Sequence, residues 1–205
     1  MENPADKVVL TLASASPRRR ELLDQIGVPY HVVISEVDES VQAGESPGDY
    51  VCRVAREKAL DVRQRAATDT PVLAADTAVI LDGRIFGKPQ DRPQAIEMLQ
   101  ELSDRTHEVW SAVALIASGS RILERLNVTR VTFSLLEPGW IDVYCDSGDP
   151  MDKAGAYGVQ GMAAQKISWL EGSYSGVMGL PLHETSEILN EAGLLNDFDS
   201  AGTLK

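Results

Sequence analysis

The run Val72-Leu73-Ala74-Ala75-Asp76-Thr77-Ala78-Val79-Ile80-Leu81 constrains this chain more than any other stretch. It is apolar and β-prone, and the turn dipeptide Asp82-Gly83 closes it. A run of this kind reads as a strand buried on both faces. One carboxylate, Asp76, stands at its centre. A carboxylate is costly to bury there unless it is paired, hydrogen-bonded or bound to a metal. Asp76 therefore demands a partner, and the nature of that partner is the first question about function.

The flanking segments supply candidates. Val8 to Leu12 is a short β-prone run feeding Ala13-Ser14-Ala15-Ser16-Pro17-Arg18-Arg19. Ser16 suits a helix cap, Pro17 the first helical position, and Gly27 a stop after Leu22, Leu23 and Ile26. A strand, a loop of small residues and a helix N-terminus form a place that favours an anion. The bland alternative is a capped surface helix with solvated arginines. Arg18 and Arg19 lie in the first turn, where positive charge opposes the helix dipole, and this tilts the reading towards an anionic ligand. Tyr30 to Ile34 reads as a second strand, followed by the acidic turn Ser35 to Ser40. That turn is either a solvated loop or a source of oxygen ligands for Mg²⁺. Ser46-Pro47 opens a long helix to about Ala66, with Lys58 inside its apolar stripe of Val51, Val54, Ala55 and Val62. Such a lysine either snorkels to water or points its charge into a cleft.

Beyond the central run, Asp82-Gly83 predicts a hairpin with Arg84-Ile85-Phe86 returning. Asp91 caps a helix carrying Ala95, Ile96, Leu99 and Leu102. His107 to Ala117 and Arg121 to Leu135 pair as a long hairpin, Pro138 starts a short helix, and Leu182 to Ala192 is a final amphipathic one. Residues 1–195 are expected to form a single domain, and 196–205 a flexible tail.

Several function classes are disfavoured. The net charge of -12 would repel a polyanion, so no nucleic-acid partner is expected, and an anionic small ligand would need a local island of Lys and Arg. No stretch approaches a membrane span, and the polar start carries no signal-like apolar run, so the expectation is a cytoplasmic protein with no membrane partner. Cys52 and Cys145 are far apart, and His31, His107 and His183 are scattered, which suggests neither a disulfide framework nor a zinc site. Gly83 to Lys88 fails as a phosphate-binding Walker loop, being one residue short with no Ser or Thr after the lysine. Gly172-Ser173-Tyr174-Ser175-Gly176 has Tyr where a serine hydrolase needs its nucleophile. The remaining inventory is serines and arginines at a helix start, two separate lysines, an acidic turn and a strand carboxylate. It suits phosphate chemistry with a divalent cation and direct attack by water.

Leu12-Ala13-Ser14-Ala15-Ser16-Pro17-Arg18-Arg19, Ser35 to Glu39, Ala55-Arg56-Glu57-Lys58-Ala59, Ala75-Asp76-Thr77, Gly87-Lys88-Pro89, Asp152 to Gly161 and Gly179-Leu180-Pro181-Leu182 occur in order. Together they resemble the successive motifs of the Maf family, over roughly Val8 to Leu194. The resemblance implies an α/β fold like that of the inosine triphosphate pyrophosphatases, two-lobed, with a long central mixed sheet and a cleft between the lobes. It implies hydrolysis of a nucleoside triphosphate to the monophosphate and pyrophosphate, with Mg²⁺ as the divalent cation and Mn²⁺ or Co²⁺ as alternatives, commonly in a homodimer. By the same resemblance Asp76 is the catalytic base, and Arg18, Thr77 and Gln160 set specificity. Ser14, Ser16, Arg19, Lys58 and Lys88 fall at phosphate contacts, and Glu39 and Asp76 at the metal. Asp76-Thr77 and Lys153 to Gln160 are similar to the branch that acts on dTTP and UTP. Alternatives are a 7-methyl-GTP or broad non-canonical nucleotide pyrophosphatase, and a nucleotide-binding regulator of septum formation. Ala75 replaces the glycine that most relatives carry. Adjacent strand residues point to opposite faces, so Asp76 and Thr77 share a cleft only where the strand ends or bulges, or where Thr77 acts through its backbone.

Overall fold

The computed structural model describes residues 9–66 and 70–195, so the expected tail at 196–205 lies outside the described residues. The chain runs β1 (Leu10–Leu12), α1 (Pro17–Gln25), β2 (Tyr30–Val32), α2 (Pro47–Ala66), β3 (Val72–Leu81), β4 (Arg84–Phe86) and α3 (Arg92–Leu102). It continues through β5 (Thr106–Ile116), β6 (Ile122–Phe133), α4 (Pro138–Asp146), β7 (Ile167–Glu171), α5 (Tyr174–Met178) and α6 (Leu182–Glu191). Short 3₁₀ turns at Asp149–Asp152, Ala154–Ala156 and Met162–Lys166 fill the stretch between α4 and β7. No helix among the described residues is long and apolar enough to cross a membrane.

The seven strands form one mixed sheet in the order β2-β1-β3-β5-β6-β7, with β4 also on β3. β1 pairs in parallel with β2 and β3, and the other pairings are antiparallel. As its composition demands, β3 is buried at every position except Thr77. One edge of β3 is paired with β5 from Val72 to Ile80. The other edge is shared: β1 takes Val72 and Leu73, and β4 takes Val79 to Leu81. Between them, Ala74 to Ala78 pair with no strand on that edge among the described residues. The sheet is therefore notched beside Asp76.

Alternation along β3 divides its side chains between two layers. The even positions Ala74 and Ala78 meet α2: Ala78 packs with Val51, Val54 and Ala55 beside Ala112 and Ala114 of β5, and Ala74 packs with Ala59 and Val62 beside Ile116. Alanines on the sheet let the helix axis lie close. On the opposite face, Leu73 and Ala75 pack with Leu22, Leu23, Val113, Leu115, Ile188 and Leu189. The far end of the sheet has its own core, where Val79, Leu81, Val109 and Phe133 meet Leu99, Ile141, Tyr144 and Tyr157. These are the two lobes, and the notch lies between them.

Three local details differ from the sequence reading. β2 stops at Val32 because β1 offers only Leu10 to Leu12 to pair with it, although Val33 N still donates to Leu12 O at 3.1 Å. Ser16 occupies the cap position of α1 without a side-chain capping bond, whereas Asp91 caps α3 by accepting from Gln94 N at 2.8 Å. β7 and α5 have no periodic signal of their own: β7 is an edge strand with Trp169 64% exposed, and α5 is only five residues.

His107 is sealed into the far lobe, where its Nε2 shares a 2.7 Å hydrogen bond with the Tyr157 hydroxyl beside Phe133. Burial lowers its pKa from 6.5 to about 4. Between those values the unfolded chain binds a proton that the folded chain refuses, so stability falls as pH drops from 6.5 towards 4. The loss amounts to roughly 3 kcal/mol once pH is below both values. Urea titrations across this range are expected to show that slope, and His107→Gln to remove it whatever the variant's stability at neutral pH.

Candidate active site

The notch opens into a cleft of about 660 Å³. Its lining includes each site residue expected from the sequence: Ser14, Ser16, Arg18, Arg19, Glu39, Lys58, Asp76, Thr77, Lys88 and Gln160. The notch also removes the apparent conflict between Asp76 and Thr77. Asp76 faces α2 and Thr77 the opposite layer, but with no strand beside Ala74 to Ala78 both faces reach the cleft. Neither a strand end nor a bulge is needed.

The partner that Asp76 requires is Lys58. The Lys58 Nζ donates to Asp76 Oδ1 at 2.8 Å and stands 2.9 Å from Glu39 Oε2. Lys58 and Asp76 are 6% and 4% exposed, which makes this a buried pair with a third group at the rim. The lysine neither snorkels nor reaches out towards solvent; one ammonium serves two carboxylates. Asp76 Oδ2 is buried without a hydrogen-bond partner among the described residues. Burial raises the Asp76 pKa, against the opposing pull of Lys58 and Arg19. Burial acts on Glu39 in the same direction, but Lys58, Lys88 and Arg19 outweigh it and hold Glu39 below the ordinary carboxylate range.

Glu39 sits on the acidic loop between β2 and α2, and that loop is tied down. Tyr50 Oη donates to Glu39 O at 3.0 Å, and Arg53 Nη2 donates to Ser40 O at 3.0 Å. Arg53 also grips Glu45 Oε2 at 2.9 Å, and Glu45 Oε2 in turn accepts from Gln42 N at 2.9 Å. The Arg53 bond draws the Glu45 pKa down to about 2.

The opposite wall is the start of α1. Arg19 Nε donates to Gly179 O at 2.8 Å and its Nη1 to Ser14 Oγ at 3.3 Å, which aims the guanidinium along the cleft floor. Gly179 has φ +111°, and a Cβ there would stand 3.5 Å from Arg19 Nε and 3.6 Å from Thr77 Oγ1. Ser14 Oγ also accepts from Ser16 N at 3.2 Å, so the Ser16 hydroxyl, unused as a cap, remains available to a ligand. Arg18 Nη1 reaches Asp152 Oδ2 at 3.4 Å across the mouth, and Lys153 Nζ holds the other Asp152 oxygen at 2.6 Å. Gln160 is exposed at the end of that segment. The segment is pinned where Gly155, at φ +65°, lies against β3: a Cβ there would come within 2.8 Å of Val79 Cγ2.

The donor set fits a hard divalent ion. Glu39 and the unpartnered Asp76 Oδ2 supply carboxylate oxygen, and no group of three or more His, Cys, Asp or Glu exists among the described residues to form an all-protein cage. Ions of the Mg²⁺ type are commonly held by one or two carboxylates together with water and substrate phosphates. Sequence reasoning missed Tyr50, Ser111, Asp152 and Gly179 as parts of the site. Asp152 and Gly179 stand in segments already singled out for the resemblance, and Ser111 carried a signal of its own, as a lone hydroxyl inside the apolar stretch Val109 to Ile116; Tyr50 carried none.

The chain is similar to a set of known proteins. The family model described as Maf-like protein matches residues 9–192. The dTTP/UTP pyrophosphatase of Methylococcus capsulatus is 52% identical over 190 residues, covering 93% of this chain and 94% of that protein. That of Bordetella pertussis is 50% identical over 198 residues, covering 93% and 95%. A nucleoside triphosphate pyrophosphatase of Xylella fastidiosa is 50% identical, covering 88% and 97%. Among solved structures, a HAM1 protein from Coxiella burnetii matches with a TM-score of 0.47 at 18% identity, covering 89% of this chain and 98% of that one. The family match and these near-full-length relatives carry one conclusion: the chain belongs to the Maf family.

Proposed function

We propose that this protein hydrolyses dTTP and UTP to the monophosphate and pyrophosphate, with Asp76 as the base. The observation that carries this reading is Asp76 itself: a buried carboxylate with one oxygen held by Lys58 and the other unpartnered among the described residues, in a cleft that Arg18, Arg19 and Lys88 also line. The relatives described above bear the same activity in their names, which supports the substrate class.

In this mechanism Asp76 Oδ2 takes a proton from water as the water oxygen bonds to the α-phosphorus. The bond from that phosphorus to the bridging oxygen breaks, and pyrophosphate leaves with the electron pair. A carboxylate whose pKa is raised by burial is a stronger base than a solvated one. Lys58 keeps Asp76 from rotating, so the free oxygen stays aimed. Arg19, Lys58 and Lys88, with the Ser14 and Ser16 hydroxyls, meet the phosphate oxygens and stabilise charge developing on the leaving group. A divalent cation held by Asp76 and Glu39 would neutralise phosphate charge and polarise the phosphoryl oxygens. Arg18, Thr77 and Gln160 face the base end, where the Gln160 amide offers both a donor and an acceptor, and Thr77 a hydroxyl oxygen, to a pyrimidine edge.

Incubation with a panel of nucleoside triphosphates and Mg²⁺, followed by product separation, is expected to give monophosphate and pyrophosphate from dTTP and UTP. Diphosphate with inorganic phosphate would refute the cleavage site. Asp76→Asn is expected to retain nucleotide binding and to lose about 10²–10⁴-fold in kcat. The Glu39 loop gives a separate expectation. Glu45 is ionised and tied to Arg53 at pH values above its ordinary 4.5, and the tie is lost only as pH falls through about 2. At neutral pH, Glu45→Gln should therefore loosen the loop, raising KM about tenfold with little change in kcat and speeding amide exchange over residues 36–46.

A further inference from the structure

Thr77 and Ser111 stand directly opposite each other in the β3–β5 register, with their hydroxyl oxygens 2.9 Å apart. Ser111 is fully buried, and its Oγ lies 2.7 Å from the carbonyl oxygen of Gly176 in α5. A carbonyl has no hydrogen to give, so that short contact commits the single Ser111 proton to Gly176 O. Towards Thr77, Ser111 can then only accept. The Thr77 proton must point at Ser111, and what Thr77 Oγ1 turns to the cleft, beside the open α-carbon of Gly179, is lone pairs alone.

The carbonyl that sets this direction is itself fixed. Gly176 N donates to Ser173 Oγ at 3.0 Å, and Gly176 O also accepts from Gly179 N at 3.0 Å. A Cβ on Gly176 would fall 2.7 Å from Asn127 Oδ1, so α5 lies close on the sheet and the carbonyl cannot drift. The relay Thr77→Ser111→Gly176 therefore has one polarity, set from the side away from the ligand.

We infer that Ser111 is a positioning residue for base selection: it makes Thr77 a pure hydrogen-bond acceptor, complementary to the ring N3–H of uracil or thymine and repelled by the bare N3 of cytosine. The inference deepens the proposed activity and rests on that reading for the base lying at Thr77. On the pairing edge of uracil and thymine, N3–H is the only donor, flanked by two carbonyl acceptors, so an acceptor-only group has one complementary atom there. Cytosine puts a lone pair at the same place, and Thr77 cannot turn its hydroxyl to meet it without breaking the bond to Ser111. A site whose polarity is held in this way discriminates far better than a hydroxyl free to rotate.

The test is kcat/KM for UTP and CTP, with Mg²⁺, in the wild type and four variants. Ser111→Ala frees the Thr77 hydroxyl to donate, and the UTP/CTP ratio is expected to fall at least about tenfold, through a gain on CTP. Ser111→Cys, a weaker donor of similar size, should fall between Ser111→Ala and wild type. Thr77→Val should lower the ratio on its own, and adding Ser111→Ala to Thr77→Val should change nothing more, because Ser111 acts only through Thr77. An unchanged ratio in Ser111→Ala, or an equal loss on both nucleotides, would overturn the inference and leave the proposed activity standing. If the wild type cleaves neither nucleotide, the proposed activity fails; the same ratios, read as UTP and CTP binding by calorimetry, then decide the relay by the same criteria.

Discussion

One ammonium shared by two carboxylates holds this site together. Lys58 reaches from α2 to Asp76 on β3 and to Glu39 on the acidic loop, so a single side chain joins three separate pieces of chain. Taking the Lys58–Asp76 pair out of water is costly, and its mutual attraction repays that cost only with good geometry. Removal of one partner from such a pair typically costs about 3–5 kcal/mol, because the other is left charged and alone. The arrangement is thus weak as a source of stability but strong as a way of fixing position. It leaves one Asp76 oxygen unsatisfied, and the rest of the cleft is arranged around that atom.

The same centre reconciles an acidic protein with an anionic ligand. The chain carries a net charge of -12, yet Arg18, Arg19, Lys58 and Lys88 all line one cleft. At an ionic strength near 0.15 M, charges beyond about 8 Å are largely screened, so a phosphate meets the groups of the cleft itself, its cations together with carboxylates such as Glu39, Asp76 and Asp152, and little of the distant net charge. Arg19 is held in place by neutral oxygens, those of Gly179 and Ser14, which orient it without cancelling its charge.

Much of this was legible in the residues. A carboxylate alone in an apolar run pointed to Asp76, and positive charge at a helix start pointed to Arg18 and Arg19. The Asp82-Gly83 turn located β4, and the alternation within residues 121–135 located β6. What could not be read were features that depend on distant chain. Lys58 had two readings until α2 was seen lying over β3. Whether Asp76 and Thr77 could share a cleft depended on where β1 and β4 stop along β3, which is a property of pairing and not of either strand. β7 and α5 form because β6 offers an edge and a face; their own sequences show no period.

The strands that border the notch also run past it. β3 and β5 contribute Leu73, Ala75, Val113 and Leu115 to one lobe's core and Val79, Leu81 and Val109 to the other's, and β6 does the same with Leu123 and Val131. Two lobes joined by a single loop can swing about it, but here they are welded by three continuous, mutually hydrogen-bonded strands. Opening the gap as a hinge would mean bending that ladder across its own width. The cleft is therefore a stiff slot cut into one mechanical body. Adjustment to a guest falls to the parts bolted on at its rim, the acidic loop and the segment from Asp149 to Gly161.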